Sequence, residues 1–358
     1  MKPYLYLRGL RHVDHTVFCV ENGQKTYWDP QFGTLMPYSS GQQVKRSILD
    51  ALVEAMPGEE RAPITFTYEL TSDRSEHKVL HQKEPWNPCN PAYADQLIGG
   101  WMRAQSKSLT LKRRSPLSIS AMRPLHPTLA GTSQESLTFD RSENPDHHPV
   151  LVRNAAGEEL SMDEVNAFLL SEARALPRRH WIPKDKVGPR AEGLFVFDMA
   201  IDLRRLFKVS VNQHDPELEP QKIEDLKANG WQESTDRLAL ICPKKRREEI
   251  IPALADALVN WRVTSNQSRT YSPQATLALA LSDNANRLSN VIRADLRENT
   301  LAEKPKADPV IDQNVDGLDL FISLAAKGYV PGIVGDANAM DTAEQVLRDR
   351  LLAFDYDA

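Results

Sequence analysis

The segment from Tyr38 to Arg46 combines residue types that bind phosphate. It reads Tyr-Ser-Ser-Gly-Gln-Gln-Val-Lys-Arg, so a serine cap precedes a helix and two cations follow one turn later. The first turn of a helix has free backbone amides and the positive end of the helix dipole, and both attract anions. Lys45 and Arg46 would neutralise further phosphate charge. The segment therefore predicts phosphate contacts, although an ordinary capped helix with two solvated cations fits the same residues.

Acidic residues are absent from long windows of a chain that is acidic overall. The protein has 358 residues, with 44 lysines and arginines, 49 aspartates and glutamates and a formal net charge of -5. Windows 30–49, 96–134 and 257–282 contain no acid, and window 174–190 carries six cations and one aspartate, whereas segment 135–172 has nine acids and two arginines. The net charge excludes indiscriminate nucleic-acid binding, so a polyanion site has to be local. Chance segregation of solvated faces is the alternative interpretation.

The hydrophobic pattern predicts an α+β fold. Tyr4 to Gly9 and Ile64 to Leu70 alternate apolar and polar residues like half-buried strands, and apolar residues at helical spacing lie between them. A second strand–helix–strand–helix series follows at 194–203, 221–228, 238–242 and 248–261. Residues 116–122 alternate as a returning strand, and Ser161 to Glu164 form a capping box. Two such halves suit a ferredoxin-like core with long insertions.

Patterns typical of catalysis, metal binding or membrane insertion are missing from the sequence. GxSxG, GxxxxGK[ST], GxGxxG and HExxH do not occur. The three cysteines are odd in number and widely spaced, which excludes a disulfide framework and a CxxC zinc site. His12, Asp14 and His15 could begin a metal site, but a surface turn is the simpler interpretation. We expect no catalytic residue, metal or cofactor and, because no apolar stretch approaches about 20 residues, a cytoplasmic protein without membrane contact.

Five segments, taken together and in order, resemble the RAMP-superfamily backbone subunit of CRISPR Cascade-type, type I-like effector complexes, which binds CRISPR RNA (crRNA). The similar segments are Met36 to Arg46, Ala94 to Arg103, Ser115 to Arg123, Phe195 to Leu206, and Asn266 to Arg269 with the apolar strand after it. They correspond to the family's Ser-Ser-Gln-x-x-Lys-Arg segment, its Leu-Phe-Gly segment, a strand, its Ile-Asp-Leu strand and a turn near the end of the core. The sequence departs from the family where Gly41 is inserted after the serines and where Ile98-Gly99-Gly100 replaces Leu-Phe-Gly.

The resemblance implies an architecture like a right hand, with a ferredoxin-like (RRM-like) palm, a finger insertion and a thumb hairpin. The expected divisions are 1–70 for the first half of the palm, 71–115 for the finger-type insertion, 116–130 for a palm strand, 131–175 for an acidic helical insertion, 176–192 for the thumb, 193–290 for the second half of the palm and 291–358 for a C-terminal helical extension.

Three groups of residues are expected to contact RNA, because cations hold phosphates and aromatic rings stack on bases. The palm and finger groove comprises Ser39, Ser40, Gln42, Gln43, Lys45, Arg46, Trp101, Arg103, Lys112, Arg113 and Arg123. The thumb comprises Arg178, Arg179, Trp181 and Lys184, and a second palm edge comprises Asn266, Gln267, Ser268 and Arg269. The indoles of Trp101 and Trp181 could equally belong to the protein core.

By this resemblance, copies of the chain would polymerise along one crRNA and present its spacer for pairing with target DNA. Sequence specificity would come from base pairing, while the protein grips the RNA backbone. The expected partners are crRNA, further copies of the chain, target DNA and the handle-binding, large and small Cascade subunits. The acidic segment 135–172 would repel RNA, so we expect it to face a neighbouring protein subunit.

Two other functions fit the same resemblance. Related backbone subunits of RNA-targeting complexes cut the target with an aspartate after the first strand, where Asp14 and Asp29 lie in this sequence. Metal-dependent cleavage of a complementary RNA would identify such an endoribonuclease. A RAMP-fold subunit that binds the 5′ handle of crRNA would bind as one copy per RNA.

Overall fold

The computed structural model describes residues 2–18, 23–72, 78–104, 110–133, 138–139, 151–173, 179–180, 189–264, 271–297 and 305–357, with the backbone alone at 138–139 and 179–180. The strands are β1 (Tyr4–Thr16), β2 (Thr26–Asp29), β3 (Thr34–Pro37), β4 (Tyr68–Ser72), β5 (Lys78–Gln82), β6 (Trp101–Ala104), β7 (Thr110–Arg113), β8 (Leu117–Ile119), β9 (Arg123–Pro124), β10 (Ala130–Ser133), β11 (Thr138–Phe139), β12 (Arg179–His180), β13 (Arg190–Asp202), β14 (Lys208–Ser210), β15 (Gln232–Glu233), β16 (Ala239–Ile241), β17 (Thr276–Ser282), β18 (Ile292–Leu296), β19 (Ala307–Ile311) and β20 (Asp319–Ile322). The helices are α1 (Gly41–Glu54), α2 (Ala94–Gly99), α3 (Met162–Ser171), α4 (Leu203–Leu206), α5 (Pro220–Ala228), α6 (Lys244–Asn260), α7 (Ala285–Val291), α8 (Ala339–Leu352) and a 3-10 helix at Leu324–Gly328.

A seven-stranded antiparallel sheet forms the centre of the fold. Its path is β10–β13–β1–β17–β20, and β8 and β9 pair with the side of β13 that also carries β10. The two long strands β1 and β13 pair from Tyr4 with Asp202 to Thr16 with Ala191, with a register shift after Val13. Helix α1 lies in the connection from β1 to β8, and helix α6 lies in the connection from β13 to β17.

The two faces of this sheet support two apolar cores, because successive side chains of a strand point to opposite faces. Leu5, Leu7 and Val13 of β1 join the larger core, which also contains the apolar residues of α1, α6 and α8. Leu10 joins a smaller core with α7, β18 and β19. Gly9 permits a close approach in the larger core, since a Cβ there would lie 2.1 Å from the Phe197 ring.

Most predicted elements are confirmed, although their ends move. The predicted helix between the first strands is α1, and the predicted series in the second half corresponds to β13, α5, β16 and α6. The capping box at Ser161 is present with both of its hydrogen bonds. The chain is therefore an α+β protein, as predicted.

Two regions differ from the prediction. The alternating segment Ile64 to Leu70 contributes only β4, which pairs with β5 in a hairpin outside the central sheet. Its apolar side chains are exposed, because alternation shows that a strand has two faces but not that either face is covered. In segment 291–358, the residues that the structure describes form three strands as well as helix, and β20 extends the central sheet beside β17.

Among the helices of the described residues, none has both the length and the apolar character that a membrane span requires.

Candidate nucleic-acid interface

The start of α1 is fixed against the edge of the sheet. Ser40 is the N-cap, and its hydroxyl accepts a hydrogen bond from the Gln43 amide at 3.4 Å. Ser39 is fully buried and forms a backbone bridge with Met122. Gly41 is required here, because a Cβ would lie 2.9 Å from the Ile119 carbonyl oxygen. The inserted glycine thus lets the first turn of the helix approach the end of β8.

The two cations that follow the cap point in different directions. Lys45 donates a hydrogen bond from Nζ to the Gly99 carbonyl at 2.7 Å. Burial, with a smaller contribution from the charge of Arg113, lowers the pKa of Lys45 to about 8. The Arg46 side chain is 54% exposed and pairs through Nε with Asp50 at 2.8 Å. Arg46 and Gln42 are one helical turn apart and both are exposed, so they share the outer face of α1.

Arg123 lies beside this helix start, directly after Met122. Its side chain is 43% exposed, and its Nη2 atom lies 3.4 Å from the Asp198 carboxylate. The same carboxylate pairs with Arg8 at 2.7 Å. Because one carboxylate faces two guanidinium groups, the cluster of Arg8, Arg123 and Asp198 has a net positive charge.

Two exposed aromatic residues of β2, of which Tyr27 lies near Arg123, were missed by the sequence interpretation. Tyr27 and Trp28 lie on β2, and the Trp28 side chain is 59% exposed. The Tyr27 ring meets the Tyr38 ring edge-on at 5.9 Å. Burial and the nearby Asp29 raise the pKa of Tyr27, while the charge of Arg123 acts in the opposite direction. The signal was an aromatic pair next to a long acid-free window, a combination typical of single-stranded nucleic-acid sites.

The cations of the β6–β7 hairpin are divided between its two faces. Arg103 is buried and pairs with Glu219, and Arg113 is buried near Glu217. The Trp101 indole donates from Nε1 to the Glu217 carbonyl at 2.7 Å. Lys112 faces outward with Arg114 beyond it. The inward residues join the hairpin to the loop before α5, and the outward cations are accessible to a ligand.

Burial shifts the ionisation of this inner cluster. The pKa of Glu217 is raised because burial penalises its charged form more than Arg113 and Arg205 favour it. Burial also lowers the pKa of Arg113 to about 10. Glu217 nevertheless lies 2.8 Å from Arg205 and accepts a hydrogen bond from the Ser210 amide at 2.8 Å. The cluster therefore holds the hairpin by charge-assisted contacts in a desolvated setting.

Several predicted contact residues lie outside the described residues. They are Arg178, Trp181 and Lys184 of the predicted thumb, and Asn266, Gln267, Ser268 and Arg269 of the predicted palm edge. Arg179 lies on β12, which pairs with β11, but only its backbone is described.

The two aspartates of the endoribonuclease alternative occupy separate turns. Asp29 accepts hydrogen bonds from the amides of Gln31 and Phe32, so it stabilises the β2–β3 turn. Asp14 is exposed and lies 3.3 Å from His12, whose ring stacks on Tyr329. Within the described part of the chain, no group of three or more His, Cys, Asp or Glu residues is arranged to hold a metal ion.

The sequence matches no protein-family model and no curated protein. Chains of two solved structures are similar to this chain at low identity. One belongs to a structure described as a CRISPR RNA-guided surveillance complex, pre-nicking; it is 11% identical with a TM-score of 0.42, over 97% of this chain and 88% of that chain. The other belongs to a CRISPR RNA-guided surveillance complex; it is 9% identical with a TM-score of 0.37, over 97% of this chain and 83% of that chain. Both similar chains are therefore components of CRISPR RNA-guided surveillance complexes.

Proposed function

We propose that the chain is a non-catalytic, crRNA-binding backbone subunit of a Cascade-type effector complex. Copies of it would polymerise along one crRNA in the cytoplasm, and the bound spacer would pair with target DNA. The other Cascade subunits would bind to the ends and sides of this filament.

The topology of the core supports the palm of this proposal. Along the sheet, the strands β8 and β9, β13, β1 and β17 are neighbours in that order, and every pair is antiparallel. With α1 and α6 in the two crossovers, this is the strand order of a ferredoxin-like β-α-β-β-α-β unit. The insertions that would form finger and thumb leave this core between α1 and β8, and between β10 and β13.

The observation that carries the proposal is one surface where an exposed ring and cations lie beside the start of a helix. We call it the ring–cation surface and define it by Lys25, Tyr27, Gln42 and Arg123, since Trp28 is the next residue of β2 and points to the opposite face. The Tyr38 amide donates to the Lys25 carbonyl at 3.1 Å, which brings the β2–β3 hairpin to the start of α1. Flat exposed rings stack on bases of any sequence, and cations hold the backbone phosphates. This combination suits a single-stranded RNA that is bound without regard to sequence.

The proposal assigns Lys112 and Arg46 to the same RNA path as additional phosphate contacts. The thumb residues Arg178, Arg179, Trp181 and Lys184 would displace one base per subunit, and 266–269 would form the opposite edge. Trp101, Arg103 and Arg113 would support the β6–β7 hairpin that presents Lys112, since their side chains face inward.

The test measures binding to crRNAs whose spacers increase in length. For a backbone subunit, the mass of the complex should grow in steps of one 40.4 kDa chain as the spacer lengthens. One copy per RNA at every length would instead identify a handle-binding subunit. Failure to bind any crRNA would reject the proposal.

Substitutions within the ring–cation surface test the assignment of that surface. Tyr27→Ala and Arg123→Ala should each weaken binding to unrelated spacers by about 1–2 kcal/mol, since stacking and phosphate contacts are independent of sequence. Lys244→Ala, an exposed cation on α6, is the matched control and should have no effect. Loss confined to one spacer sequence would contradict a backbone-binding role.

A further inference from the structure

The β4–β5 hairpin exposes a continuous apolar face. Ile64, Phe66, Tyr68, Leu70 and Leu80 are exposed by 47%, 67%, 52%, 60% and 60%. Leu70 lies directly opposite Leu80, and the residues from 64 to 70 alternate toward the base of the hairpin. Together these side chains expose an area on the order of 600 Å², at the upper limit of the patches found on monomers. An isolated two-stranded hairpin is also only marginally stable, so a partner would stabilise it.

Both ends of the excursion that carries this hairpin are anchored to α2. The Ala62 amide donates to the Asp95 carboxylate at 3.3 Å on one side. The Asn90 amide donates to the Gln96 side chain at 2.7 Å on the other side. The position of the hairpin is therefore defined by α2, while its apolar side chains stay exposed in the part of the chain that the structure describes.

A second surface feature lies beside the last strand of the central sheet. A cavity of about 350 Å³ there has a mixed lining, with Leu320, Phe321, Ile322, Val334 and Ala339 on its apolar part and Gln313, Asp336 and Thr342 on its polar part. It lies between β20, which ends the path of the central sheet, and α8. Val334 is 74% exposed, so the cavity is open to a side chain from another molecule.

The helices place these two features at opposite flanks. Helices α2, α1, α6 and α8 lie in that order across the sheet, each in contact with the next, and α8 contacts β20. The hairpin is held at the α2 end, and the cavity lies at the α8 end. Two different surfaces on opposite flanks produce a head-to-tail contact that repeats without closing, provided that each fits the other.

The chemistry of the hairpin face favours a protein occupant over a nucleic acid. From Ile64 to Leu70, the side chains on this face carry no charge, whereas a polyanion site needs cations. Lys78 ends the same face at the hairpin tip, and the cavity rim carries the opposite charge in Asp336. The exposed area approaches the roughly 800 Å² that each partner contributes to a standard interface.

We propose that the hairpin face of one copy of this chain docks into the β20–α8 cavity of the next copy. This contact would set the direction and spacing of copies along the RNA, and the inference rests on the proposed function. Phe66 is the most exposed of the side chains that would face the cavity, and Lys78 would approach Asp336.

The test uses full-length chains assembled on a crRNA with a long spacer. Phe66→Glu blocks the hairpin and Val334→Glu blocks the cavity rim; both positions are exposed, so the fold should survive, and an unchanged melting curve verifies this. Leu238→Glu is the matched control, since Leu238 is 63% exposed and lies outside both surfaces. Each blocked variant should lose assembly beyond one copy and show about tenfold weaker binding to the long crRNA. The control should assemble fully.

A mixture of the two blocked variants provides the sharper result. The Val334→Glu variant keeps a free hairpin and the Phe66→Glu variant keeps a free cavity. The mixture should therefore form pairs but no longer assemblies. Full-length assembly by either blocked variant would overturn the inference while leaving crRNA binding intact. Loss of assembly in Phe66→Glu alone would also overturn it, because the hairpin would then dock on another partner or on the nucleic acid. Absence of crRNA binding by the unaltered chain would instead reject the proposed function.

Discussion

Arg11 occupies an unusual position for a charged residue. It lies on β1 in the larger core, is fully buried, and its guanidinium stacks on the Trp261 ring at 3.8 Å. Its Nη2 atom donates to the Val259 carbonyl at 3.4 Å, but Nε and Nη1 have no hydrogen-bond partner among the described residues. Burial lowers the pKa of Arg11 well below its usual value, and the charge of Arg262 adds to this effect. The ring and the C-terminal carbonyls of α6 offset only part of this desolvation.

Replacement of Arg11 by a side chain of similar length separates its charge from its volume. Arg11→Met should raise the free energy of unfolding by about 1–2 kcal/mol, because two buried donors without partners are removed. Arg11→Ala should lower it by about 3 kcal/mol, because it leaves a cavity. Urea unfolding measures both changes. Equal destabilisation by the two substitutions would show that the guanidinium is fully paired in solution.

The proton uptake of Lys45 on crRNA binding provides a test of phosphate binding at this residue. With a pKa near 8 in the free protein, Lys45 is largely neutral at pH 8.5–9, and a nearby phosphate would favour its charged form. Binding of crRNA at pH 8.5 should therefore take up roughly half a proton or more per copy. Calorimetry in two buffers with different ionisation enthalpies measures this uptake.

The control for this titration is Lys45→Arg, which stays charged and should take up no proton at this residue. Equal uptake by the variant and the unaltered chain would show that Lys45 keeps its contact with Gly99 and does not meet phosphate.

The lowered pKa of Lys45 also has a consequence for stability. Because the pKa of Lys45 is lowered on folding, its contribution to stability should rise as the pH increases from about 8 toward 10.5.

At the scale of elements, the β6–β7 hairpin depends on a carboxylate far away in the sequence. Glu217 faces both Arg113 and Arg205 and is itself buried. Glu217→Ala should lower the free energy of unfolding by about 3–5 kcal/mol, since Arg113 would remain buried without a counter-charge. It should also change the tryptophan fluorescence, because Arg113 lies over the Trp101 ring, 5.5 Å from its centroid, and would shift when its counter-charge is removed. Glu224→Ala, at an exposed carboxylate on α5, should change neither property.

The position of the α1 start can be tested with one methyl group. Alanine is normally favoured over glycine in a helix by about 1 kcal/mol. Gly41→Ala should nevertheless destabilise the protein and weaken crRNA binding, because its Cβ would push the first turn away from Ile119. Gly131→Ala, whose Cβ would meet no atom within 4 Å, is the matched control. A stabilising Gly41→Ala substitution would show that the helix start is not tightly packed.

Elements with a strong local period could be predicted from the sequence, and those defined by distant partners could not. Val44, Ile48 and Leu52 share one helix face, which is why α1 was correctly predicted. The inward orientation of Arg103 and Arg113 depends on Glu219 and Glu217, more than 100 residues away. Likewise, β20 is a strand of the central sheet because it pairs with β17, and four residues carry too little pattern to reveal this. The acid-free windows of the sequence predicted a polyanion site, but they did not show which of their cations are exposed to solvent.

At the scale of the whole molecule, the C-terminal part completes the larger core. Ala343, Leu347 and Leu351 of α8 are fully buried, and α8 packs on α6. Tyr356 is buried beyond the helix, and Arg247 of α6 holds Asp357 through two hydrogen bonds of 2.9 Å. If the C-terminal part folded separately, these contacts would break in an unfolding transition of their own. A shared core would instead unfold in the same transition as the sheet.

A single substitution in α8 distinguishes these two behaviours. Leu347→Ala should lower the free energy of unfolding by about 3 kcal/mol, because it opens a cavity between α8 and the core. Since that core also contains Trp261, the transition followed by tryptophan fluorescence should shift as much as the one followed by far-UV circular dichroism. A shift seen by circular dichroism alone, with Trp261 unaffected, would show that α8 unfolds independently of the sheet. The β20–α8 cavity would then be a flexible feature, too weakly held to direct the assembly of neighbouring copies.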